Sequence, residues 1–547
     1  MSLRSEQIAR LQTQSFDLFI VGGGIVGAGI ARDAAMRGLR VALIEQGDFA
    51  SGTSSKTSKL IHGGLRYLEH GHIGLVFESL RERAILRTIA PASVHPLSLL
   101  LPVYRGDRRA PATINVGLWL YDLLAIGRNV APHRMVSARR ALALEPNLRV
   151  EGLRAAGLYA DCRMDDARVC LLNILQAVQF GASCANYVRL VAFLKDQHGR
   201  LCGGEVEDLA GGRTFEIFAK VVVNATGPWS DRIRVMSESQ ATPRLAPTKG
   251  IHLIVRRIAH EALFVQARDG RMLFVLPWGD DGSLIGTTET PVRGSLEELA
   301  AESDEVGYLL DATNRILPGS HLDEEAIITT FAGARPLLAF DGSSTSASRE
   351  HRIETDASGL ISVLGGKYTT YRRIAQQTVD VIVRREHWRT ERCLSDQVSL
   401  LESTHPVAMA QWHDLTRAMD PDVLARLISR YGVSCVRVLQ LISLEPALGL
   451  AVCPHHEVLA AELIHAFQQE LACTITDVLA RRTRIAWSSC QGLDFLSMLT
   501  DLARRYAGLS PRELEQQVQA YHQFLRLGLA FRSGSGAAAP LASSQHG

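Results

Sequence analysis

The segment Phe16–Glu45 constrains the fold more than any other part of the chain; it reads FDLFIVGGGIVGAGIARDAAMRGLRVALIE. The run Phe16–Val21 is apolar and free of turn residues, which predicts a buried parallel strand. Gly22, Gly24 and Gly27 follow it in the pattern G-x-G-x-x-G. The first glycine permits a tight turn, the second lets the backbone approach a pyrophosphate, and the third lets a helix pack against the strand. The segment therefore predicts the start of a dinucleotide-binding unit.

The residues after the glycine turn complete this unit. We expect a helix from about Ile25 to Arg37, with its N-terminal N–H groups and positive dipole end directed at the pyrophosphate. Gly38 ends the helix, and Leu39–Ile44 forms a second strand. Glu45 stands at the end of that strand, where a carboxylate can accept hydrogen bonds from ribose hydroxyls; a solvated strand-end charge is the alternative. Together these features predict a Rossmann-type α/β domain.

The segment Ser54–Glu69, which reads SSKTSKLIHGGLRYLE, adds reactive groups to this pocket. It is a loop rich in serine, lysine and glycine, and it carries His62 and Arg66 just beyond the expected position of the cofactor. A site that only holds a nucleotide does not require such groups. The combination favours a catalytic flavin site.

Two later segments behave like further parts of the same site. Val221–Gly227 places a small-residue turn at the end of a strand, where α/β sheets hold ligands, although an ordinary strand–loop junction explains it equally well. Gly365 and Gly366 precede a helix with Thr369, so that free N–H groups can face an anionic oxygen such as a flavin carbonyl. The alternative for this pair is a close-packed strand-to-helix turn. An NAD enzyme needs neither element, so the two together favour FAD.

Composition limits the remaining possibilities. A chain of 547 residues exceeds one ordinary core, and 46% hydrophobic with 21% charged residues is typical of a folded soluble protein. A net charge of +2 argues against general nucleic-acid binding. The nine cysteines form no C-x-x-C pair, and His455–His456 has no partner ligands at a metal-binding spacing, so we expect a reducing compartment and no metal site. We see no signal peptide and no apolar run long enough to span a bilayer, which predicts a cytoplasmic protein with at most peripheral membrane contact.

The chain resembles the FAD-dependent, respiratory-type glycerol-3-phosphate dehydrogenases, within the wider flavoproteins related to D-amino acid oxidase. The resemblance rests on the ordered motifs GGGIVGAGIARDAA, LIE, TSSKTSKLIHGGLRYLEHG, NATGPWSD, FVLPWGDDGSLIGTTE, GARPL and GGKYTTYR. It covers about residues 16 to 375 and continues more loosely through HHEVLAAELIHA and DVLARRTRIAW. SSKTSKLIHGGLRYLE is its most specific part. The chain departs from the family's common GGKLTTYR at Tyr368, a position that can simply pack.

The resemblance implies oxidation of sn-glycerol 3-phosphate to dihydroxyacetone phosphate, noncovalent FAD, and electron transfer to a membrane quinone. A glycerol-3-phosphate oxidase that uses O2 shares nearly all these motifs, and a non-catalytic flavin-binding regulator is a third possibility. The residues expected to bind the cofactor are Gly22, Gly23, Gly24, Gly27, Glu45, Ser54, Ser55, Lys59, His62, Ala225, Gly227, Gly365, Gly366, Lys367 and Thr369.

Three residues are expected to be catalytic: His62, Arg66 and Arg335. Arg66, Arg335 and Arg349 stand where the family places substrate-side arginines, which suit a phosphate dianion, and Tyr67 is a candidate partner for a substrate hydroxyl. Hydride leaves C2 for the flavin N5 while a base takes the hydroxyl proton, and the pKa of histidine suits that base. His62 is one candidate; the other is that His62 only contacts the flavin, with the proton going to another group or water. Structural salt bridges are the alternative for the arginines.

The segment Tyr104–Asn129 is a candidate membrane contact at the cytoplasmic face of the inner membrane. It sets four arginines around an apolar stretch that contains Trp119 and Tyr121; these are Arg105, Arg108, Arg109 and Arg128. Such a segment suits an anionic lipid surface, but an amphipathic packing helix explains it as well. The resemblance also implies a homodimer.

The predicted architecture has three parts. A Rossmann-type FAD-binding domain is assembled from residues 16–75, 152–230 and 355–385, within an oxidoreductase region of 16–385. An α+β substrate-cap domain comprises residues 76–151 and 231–354. An all-α C-terminal domain spans 395–531, and a disordered tail covers 532–547.

Overall fold

The computed structural model describes residues 2–238, 240–279, 281–339, 350–400, 409–417 and 419–535. Its strands are β1 (Phe16–Val21), β2 (Val41–Glu45), β3 (Leu60–Ile61), β4 (Val94–Tyr104), β5 (Arg134–Ser137), β6 (Leu153–Met164), β7 (Ser183–Asn186), β8 (Val188–Lys195), β9 (Leu201–Asp208), β10 (Arg213–Asn224), β11 (Thr248–Arg256), β12 (Ala262–Gln266), β13 (Met272–Trp278), β14 (Gly282–Gly286), β15 (Thr290–Pro291), β16 (Ile327–Arg335), β17 (His351–Thr355), β18 (Ile361–Gly365), β19 (Ala451–Cys453) and β20 (His456–Leu459). Its α-helices are α1 (Leu3–Thr13), α2 (Ile25–Met36), α3 (Ile73–Ile89), α4 (Pro111–Leu124), α5 (Ala138–Leu144), α6 (Asp166–Gln179), α7 (Ser230–Ser237), α8 (Ser303–Ile316), α9 (Tyr371–Arg385), α10 (Met409–Thr416), α11 (Pro421–Tyr431), α12 (Cys435–Leu444), α13 (Ala460–Gln469), α14 (Leu496–Leu502) and α15 (Pro511–Leu527).

The first domain is built on a mostly parallel sheet in the order β17-β18-β10-β1-β2-β7. Strands β18, β10, β1, β2 and β7 run parallel to their neighbours, and β17 is antiparallel to β18. Helices α2, α6 and α9 pack in one apolar core with these strands. Because the strands are parallel, the carboxyl ends of β1, β2, β10 and β18 meet at one edge, which is where such sheets hold ligands. This is the predicted Rossmann-type domain.

The cap domain contains the second large sheet, in the order β15-β11-β14-β13-β12-β4-β6-β3, with β16 beside β11 and β5 beside β6. Helix α8 packs on it through a second apolar core. The short strand β3 belongs to this sheet although it follows the first domain's β2 in sequence, and it pairs with β6. The segment that carries His62 therefore runs from one domain into the other.

The C-terminal domain is helical and packs against both other domains. The indole Nε1 of Trp278 in the cap donates to the carbonyl oxygen of Trp487 at 3.0 Å. On the side of the first domain, the buried Asp48 carboxylate accepts hydrogen bonds from both Arg482 Nη1 (2.6 Å) and Arg482 Nη2 (2.8 Å). Burial alone would raise the pKa of Asp48, but Arg482 and Arg481 outweigh burial and lower it. These contacts fix the domain to the rest of the chain.

Two expected boundaries need correction. Residues 153–164 form β6 of the cap sheet and not a part of the FAD-binding segment 152–230, because β6 pairs with β4 along nearly its whole length. The C-terminal domain is helical as expected, and it also contains the short β19–β20 hairpin. The 3₁₀ helix Ala530–Ser535 extends into the predicted tail, and residues 536–547 lie outside the described residues.

One helical stretch in the described part of the chain, Pro421–Leu444, is long and apolar enough to cross a membrane by length and composition. This differs from the expectation that no apolar run would qualify. The stretch is interrupted at Gly432, where φ is 56°, and so forms the separate helices α11 and α12. Leu427 and Val438 on these helices are buried in the core of the C-terminal domain. The stretch therefore forms two packed helices in this structure.

Candidate active site

The glycine turn after β1 leaves no room for side chains. Gly22 has φ of 112°, and a Cβ atom there would lie 2.7 Å from the carbonyl oxygen of Ala225. A Cβ at Gly27 would lie 1.9 Å from the carbonyl oxygen of Gly22. The helix α2 therefore packs directly on the turn, as its role in dinucleotide binding requires. The N-terminus of α2 is left at the open edge of the sheet.

Glu45 and Ser54 organise this end of the site. The Glu45 carboxylate accepts hydrogen bonds from the backbone N–H groups of Gly23 (2.8 Å) and Gly47 (2.9 Å). Burial raises the pKa of Glu45 although these N–H groups oppose the shift. Ser54 Oγ accepts a hydrogen bond from the backbone N–H of Ile25 at 2.9 Å, so that it contacts the first turn of α2. The serine loop is thus tied to the glycine turn.

One cavity of about 900 Å³ connects this edge with the cap domain. Many of the predicted site residues line it: Gly22, Gly24, Glu45, Ser54, His62, Arg66, Tyr67, Ala225, Gly227, Arg335, Gly365, Gly366, Lys367 and Thr369. The structure therefore brings together segments that are more than 300 residues apart in sequence. The glycine turn and Glu45 lie at one end of the cavity, and lining residues such as Arg335 belong to the cap domain.

Some predicted residues have other positions. Gly23 and Gly27 lie behind the cavity wall and serve close packing. Arg349 lies outside the described residues. Lys59 requires a correction, because its ammonium group donates to both carboxylate oxygens of Asp166, at 2.8 and 2.9 Å, and to the carbonyl oxygen of Ser55. Lys59 and Ser55 therefore fix the loop to the start of α6 and do not line the cavity.

The loop that carries His62 is held from two sides. The backbone N–H and the carbonyl oxygen of His62 both lie 3.4 Å from Thr369 Oγ1, which joins the loop to the segment before α9. The N–H of Gly63 donates to the Tyr121 hydroxyl at 2.8 Å, and that hydroxyl donates to Asp161 at 2.7 Å. Asp161 forms a buried ion pair with Arg83. Backbone and buried charges thus set the position of His62.

Arg335 is oriented by cap residues. Its Nη2 atom donates to Thr287 Oγ1 at 3.1 Å and to the carbonyl oxygen of Thr288 at 3.0 Å. A Cβ at Gly250 would lie 2.4 Å from the same nitrogen, so the glycine provides the space for the guanidinium. The charge is therefore presented at a fixed point of the cavity wall.

Two further cations stand near the aromatic side chain of Tyr67. The Lys367 ammonium lies 3.7 Å from the centre of the Tyr67 ring, a cation–π contact. Arg66 lines the same cavity and is exposed to solvent. Arg335, Lys367 and Arg66 together give this region a positive charge that suits an anionic ligand.

The cavity also contains groups that sequence reasoning missed. Ser58 Oγ lies 2.9 Å from Nε2 of His252, whose ring stacks on Phe331. Burial, with Arg335 and Lys59 close by, lowers the pKa of His252 well below its usual range, so this histidine is neutral. Burial likewise lowers the pKa of Lys56 to about 8. A single histidine within an apolar strand carries no spacing signal, which is why only the three-dimensional arrangement identifies it.

These residues fit a bound dinucleotide. The glycine turn admits the close backbone approach of a pyrophosphate, the α2 N-terminus supplies a positive dipole end, and Glu45 offers carboxylate oxygens at the end of β2. Gly365 and Gly366, with φ of 75° and 92°, form the tight turn before α9 at the other end. The cavity is long enough to reach from one of these features to the other.

Comparisons with known proteins agree with this arrangement. The protein-family model for FAD dependent oxidoreductases matches residues 17–372, and the model for the C-terminal domain of alpha-glycerophosphate oxidase matches residues 363–514. The glycerol-3-phosphate dehydrogenase of Synechocystis sp. is 34% identical, with 94% of this chain and 97% of that protein covered. Glycerol-3-phosphate dehydrogenase 2 of Mycobacterium tuberculosis is 35% identical, over 94% of this chain and 88% of its own.

Solved structures of related fold also include a glycerol-3-phosphate dehydrogenase and an L-alpha-glycerophosphate oxidase. The X-ray structure of the glycerol-3-phosphate dehydrogenase from Bacillus halodurans complexed with FAD superimposes with a TM-score of 0.77 at 29% identity, covering 96% of this chain and 97% of the other. The L-alpha-glycerophosphate oxidase from Mycoplasma pneumoniae shares the fold, with a TM-score of 0.54 at 18% identity, over 70% of this chain and 97% of the other.

Fold and site thus define an FAD-dependent oxidoreductase with a helical C-terminal domain. The chain belongs to the FAD-dependent glycerol-3-phosphate dehydrogenase family, and its cofactor is FAD. The resemblance in the sequence motifs, the fold class and the cofactor are thereby confirmed.

Proposed function

We propose that this protein oxidises sn-glycerol 3-phosphate to dihydroxyacetone phosphate and passes the electrons to a membrane quinone. The observation that carries the proposal is that one cavity joins the glycine turn to His62, Arg335 and Lys367. FAD, when bound, supplies the acceptor for the hydride that leaves C2 of the substrate. The protein's own groups bind the phosphate, orient C2 and receive the hydroxyl proton.

Phosphate binding falls to the cavity arginines. Arg335 has a fixed orientation through Thr287 and Thr288, and a guanidinium can grip a phosphate through two parallel hydrogen bonds. Arg66 is exposed and can adjust to the ligand, and Tyr67 beside Lys367 offers a hydroxyl to the glycerol moiety. We retain Arg349 as a candidate from the resemblance. A simple amine is a cation at neutral pH and a neutral polyol has no charge, so neither complements these cationic groups.

We assign proton removal to His62, whose backbone is held by Thr369. His62→Gln is expected to lower kcat by about 100-fold, the lower end of the range for general bases, with little change in KM. Steady-state kinetics at several pH values would measure this. The exposed His260 lies outside the cavity, and His260→Gln serves as the matched control. An unchanged kcat in His62→Gln would assign the proton to another group or to water.

The electron acceptor can be tested directly. With sn-glycerol 3-phosphate as the donor, we expect a short-chain ubiquinone analogue to be reduced in step with dihydroxyacetone phosphate formation. In air without quinone, hydrogen peroxide should account for only a minor share of turnover. Peroxide production that matches substrate turnover would instead identify the oxidase, and absence of turnover with either acceptor would favour the non-catalytic regulator.

An exposed apolar face on α4 is our candidate for the membrane contact. Four large apolar side chains on this helix and the turn that follows it are between 61% and 69% exposed: Val116, Trp119, Leu123 and Ile126. Ile73 and Phe77 on the neighbouring α3 are also nearly half exposed. Exposed apolar patches of this kind, rimmed by basic residues, suit an anionic membrane surface.

The basic rim differs from the expectation in two places. Arg105, Arg108 and Arg128 are exposed, but Arg109 is paired with Glu69 and Gln266. Tyr121 is 1% exposed, with its hydroxyl bonded to Asp161, so it belongs to the interior and not to a lipid-facing aromatic belt. The proposed contact is therefore the α4 face with three arginines.

Reversing two of these charges in Arg105→Glu/Arg108→Glu is expected to weaken binding to anionic vesicles by at least about 2 kcal/mol, at about 1 kcal/mol per basic residue. Trp119→Glu should weaken it through loss of apolar burial. Co-sedimentation with phosphatidylglycerol vesicles would measure both. Leu444 is 85% exposed on the C-terminal domain, and Leu444→Glu is the matched control. Unchanged sedimentation of the α4 variants would reject this surface.

The proposal includes a peripheral position at the cytoplasmic face of the inner membrane, because a quinone acceptor is dissolved in the lipid. A homodimer is implied by the resemblance alone. Light scattering of the purified holoenzyme would decide between dimer and monomer.

A further inference from the structure

A group of metal-ligating side chains lies in the C-terminal domain. Cys453 and His456 face each other across the turn of the β19–β20 hairpin, where they are partners in the strand register. Cys490 follows the 3₁₀ turn Ile485–Trp487. One ligand atom from each of the three residues lies within 4.8 Å of the other two, and His456 Nε2 is 3.3 Å from Cys490 Sγ. Folding thus supplies the partner ligands that the spacing around His455–His456 lacks.

Both sulfur atoms accept backbone hydrogen bonds. The N–H of Gly492 donates to Cys490 Sγ at 3.4 Å, and the N–H of His455 donates to Cys453 Sγ. Burial nevertheless raises the pKa of the Cys453 thiol to about 11, so its proton leaves when a metal binds. The Asp494 carboxylate also lies within hydrogen-bonding distance of the Cys453 thiol. Asp494 is therefore adjacent to Cys453, while the three ligand atoms within 4.8 Å of one another belong to Cys453, His456 and Cys490.

We propose that Cys453, His456 and Cys490 bind one zinc ion, with Asp494 or a water molecule as the fourth ligand. Two thiolates, an imidazole and one oxygen form a donor set that selects a tetrahedral ion of intermediate softness. Magnesium and calcium prefer oxygen ligands and do not suit this set. Binding releases the protons of the two thiols to solvent, and no electron transfer is involved.

The position of the site points to a structural role. His456 lines a second cavity, of about 710 Å³, which lies between the C-terminal and cap domains and is separate from the flavin cavity. The ion would link the β19–β20 hairpin to the segment before α14, and so fix one wall of that second cavity. Flavin content and the reaction at His62 are therefore expected to be independent of the ion.

The test uses the FAD-loaded full chain, purified with a reductant that does not bind metals. After treatment with a chelator, titration with Zn²⁺ alone is expected to show uptake of one ion per chain and a higher thermal unfolding midpoint. Co²⁺ in place of zinc should give d–d absorption bands to the red of the flavin spectrum, with the intensity typical of a tetrahedral site. Absence of uptake and of these bands in the wild type would overturn the proposal.

Substitution of each proposed ligand tests where the zinc ion binds. Cys453→Ser, Cys490→Ser and His456→Gln should each weaken zinc binding by about 100-fold or more, since even residues that only support a ligand cost 10- to 100-fold. Cys202→Ser in the first domain is the matched control. His456→Gln, at a partly buried position, is the variant least able to disturb folding, and its flavin absorbance reports on the folded state. Equal zinc affinity in all variants would overturn the assignment. A Cys453–Cys490 disulfide that persists in protein purified with the reductant would overturn it as well.

Discussion

Replacing Gly27 by alanine is expected to yield a protein that does not retain FAD. A Cβ at this position would lie 1.9 Å from the carbonyl oxygen of Gly22 and 3.4 Å from Ala225 Cβ. The oxygen belongs to a backbone turn with φ of 112°, so relief requires α2 to move away from the turn. Overpacking of this kind costs about 3 kcal/mol, and it displaces the N-terminal N–H groups that would hold the pyrophosphate. Flavin absorbance per chain and urea denaturation would measure the two effects.

Gly307 offers the matched control for this substitution. It also lies within a helix, α8, but a Cβ there would have no neighbour within 4 Å. Gly307→Ala should leave the flavin content unchanged and stabilise the helix slightly, because alanine has the higher helix propensity. A Gly27→Ala protein with full flavin content and wild-type stability would contradict the packing seen between α2 and the glycine turn.

Replacing Arg335 by alanine is expected to lower kcat/KM for sn-glycerol 3-phosphate by about 1000-fold. The substitution removes a charge whose orientation is fixed by Thr287 and Thr288. Loss of a charged, hydrogen-bonded partner in a buried site costs several kcal/mol, and each 1.4 kcal/mol corresponds to about tenfold. The flavin spectrum should be retained, because the guanidinium belongs to the cap end of the cavity. Steady-state kinetics with the purified holoenzyme would measure the loss.

Two variants make this result specific. Arg335→Lys keeps the charge but cannot bind a phosphate with two parallel hydrogen bonds, so it should recover only part of the activity. Arg256 is exposed at the end of β11, outside the cavity, and Arg256→Ala should behave as the wild type. If Arg335→Ala kept wild-type kcat/KM, the cationic end of the cavity would not be the phosphate site.

The parts of the fold that depend on neighbours in sequence could be predicted closely. The strand Phe16–Val21 has the expected bounds, and the helix Ile25–Met36 ends one residue before the expected Arg37, because apolar periodicity and local stop signals determine them. The glycine turn could be predicted equally well, because each glycine in it is required by a steric constraint from neighbouring residues. The order of the cofactor-binding segments along the chain could also be predicted, because the family motifs occur in that order.

Features that depend on distant pairing could not be predicted in this way. Strand β6 joins the cap sheet only because β4 is its partner, and nothing within residues 153–164 indicates which sheet it enters. Lys59 looked like a cofactor ligand, but its partner Asp166 lies 107 residues later. The cluster of Cys453, His456 and Cys490 likewise forms through folding. Sequence motifs identified the chemistry, and long-range contacts decided which side chains take part.

Anaerobic mixing of the yellow holoenzyme with sn-glycerol 3-phosphate is the most direct test of the proposed activity. We expect bleaching of the flavin absorbance with one equivalent of this substrate, and no bleaching with glycerol or with glycine at the same concentration. Arg335→Ala should bleach far more slowly than the wild type. Bleaching by glycine, or an absorbance that stays unchanged with sn-glycerol 3-phosphate, would contradict the assignment of this cavity to a phosphorylated polyol.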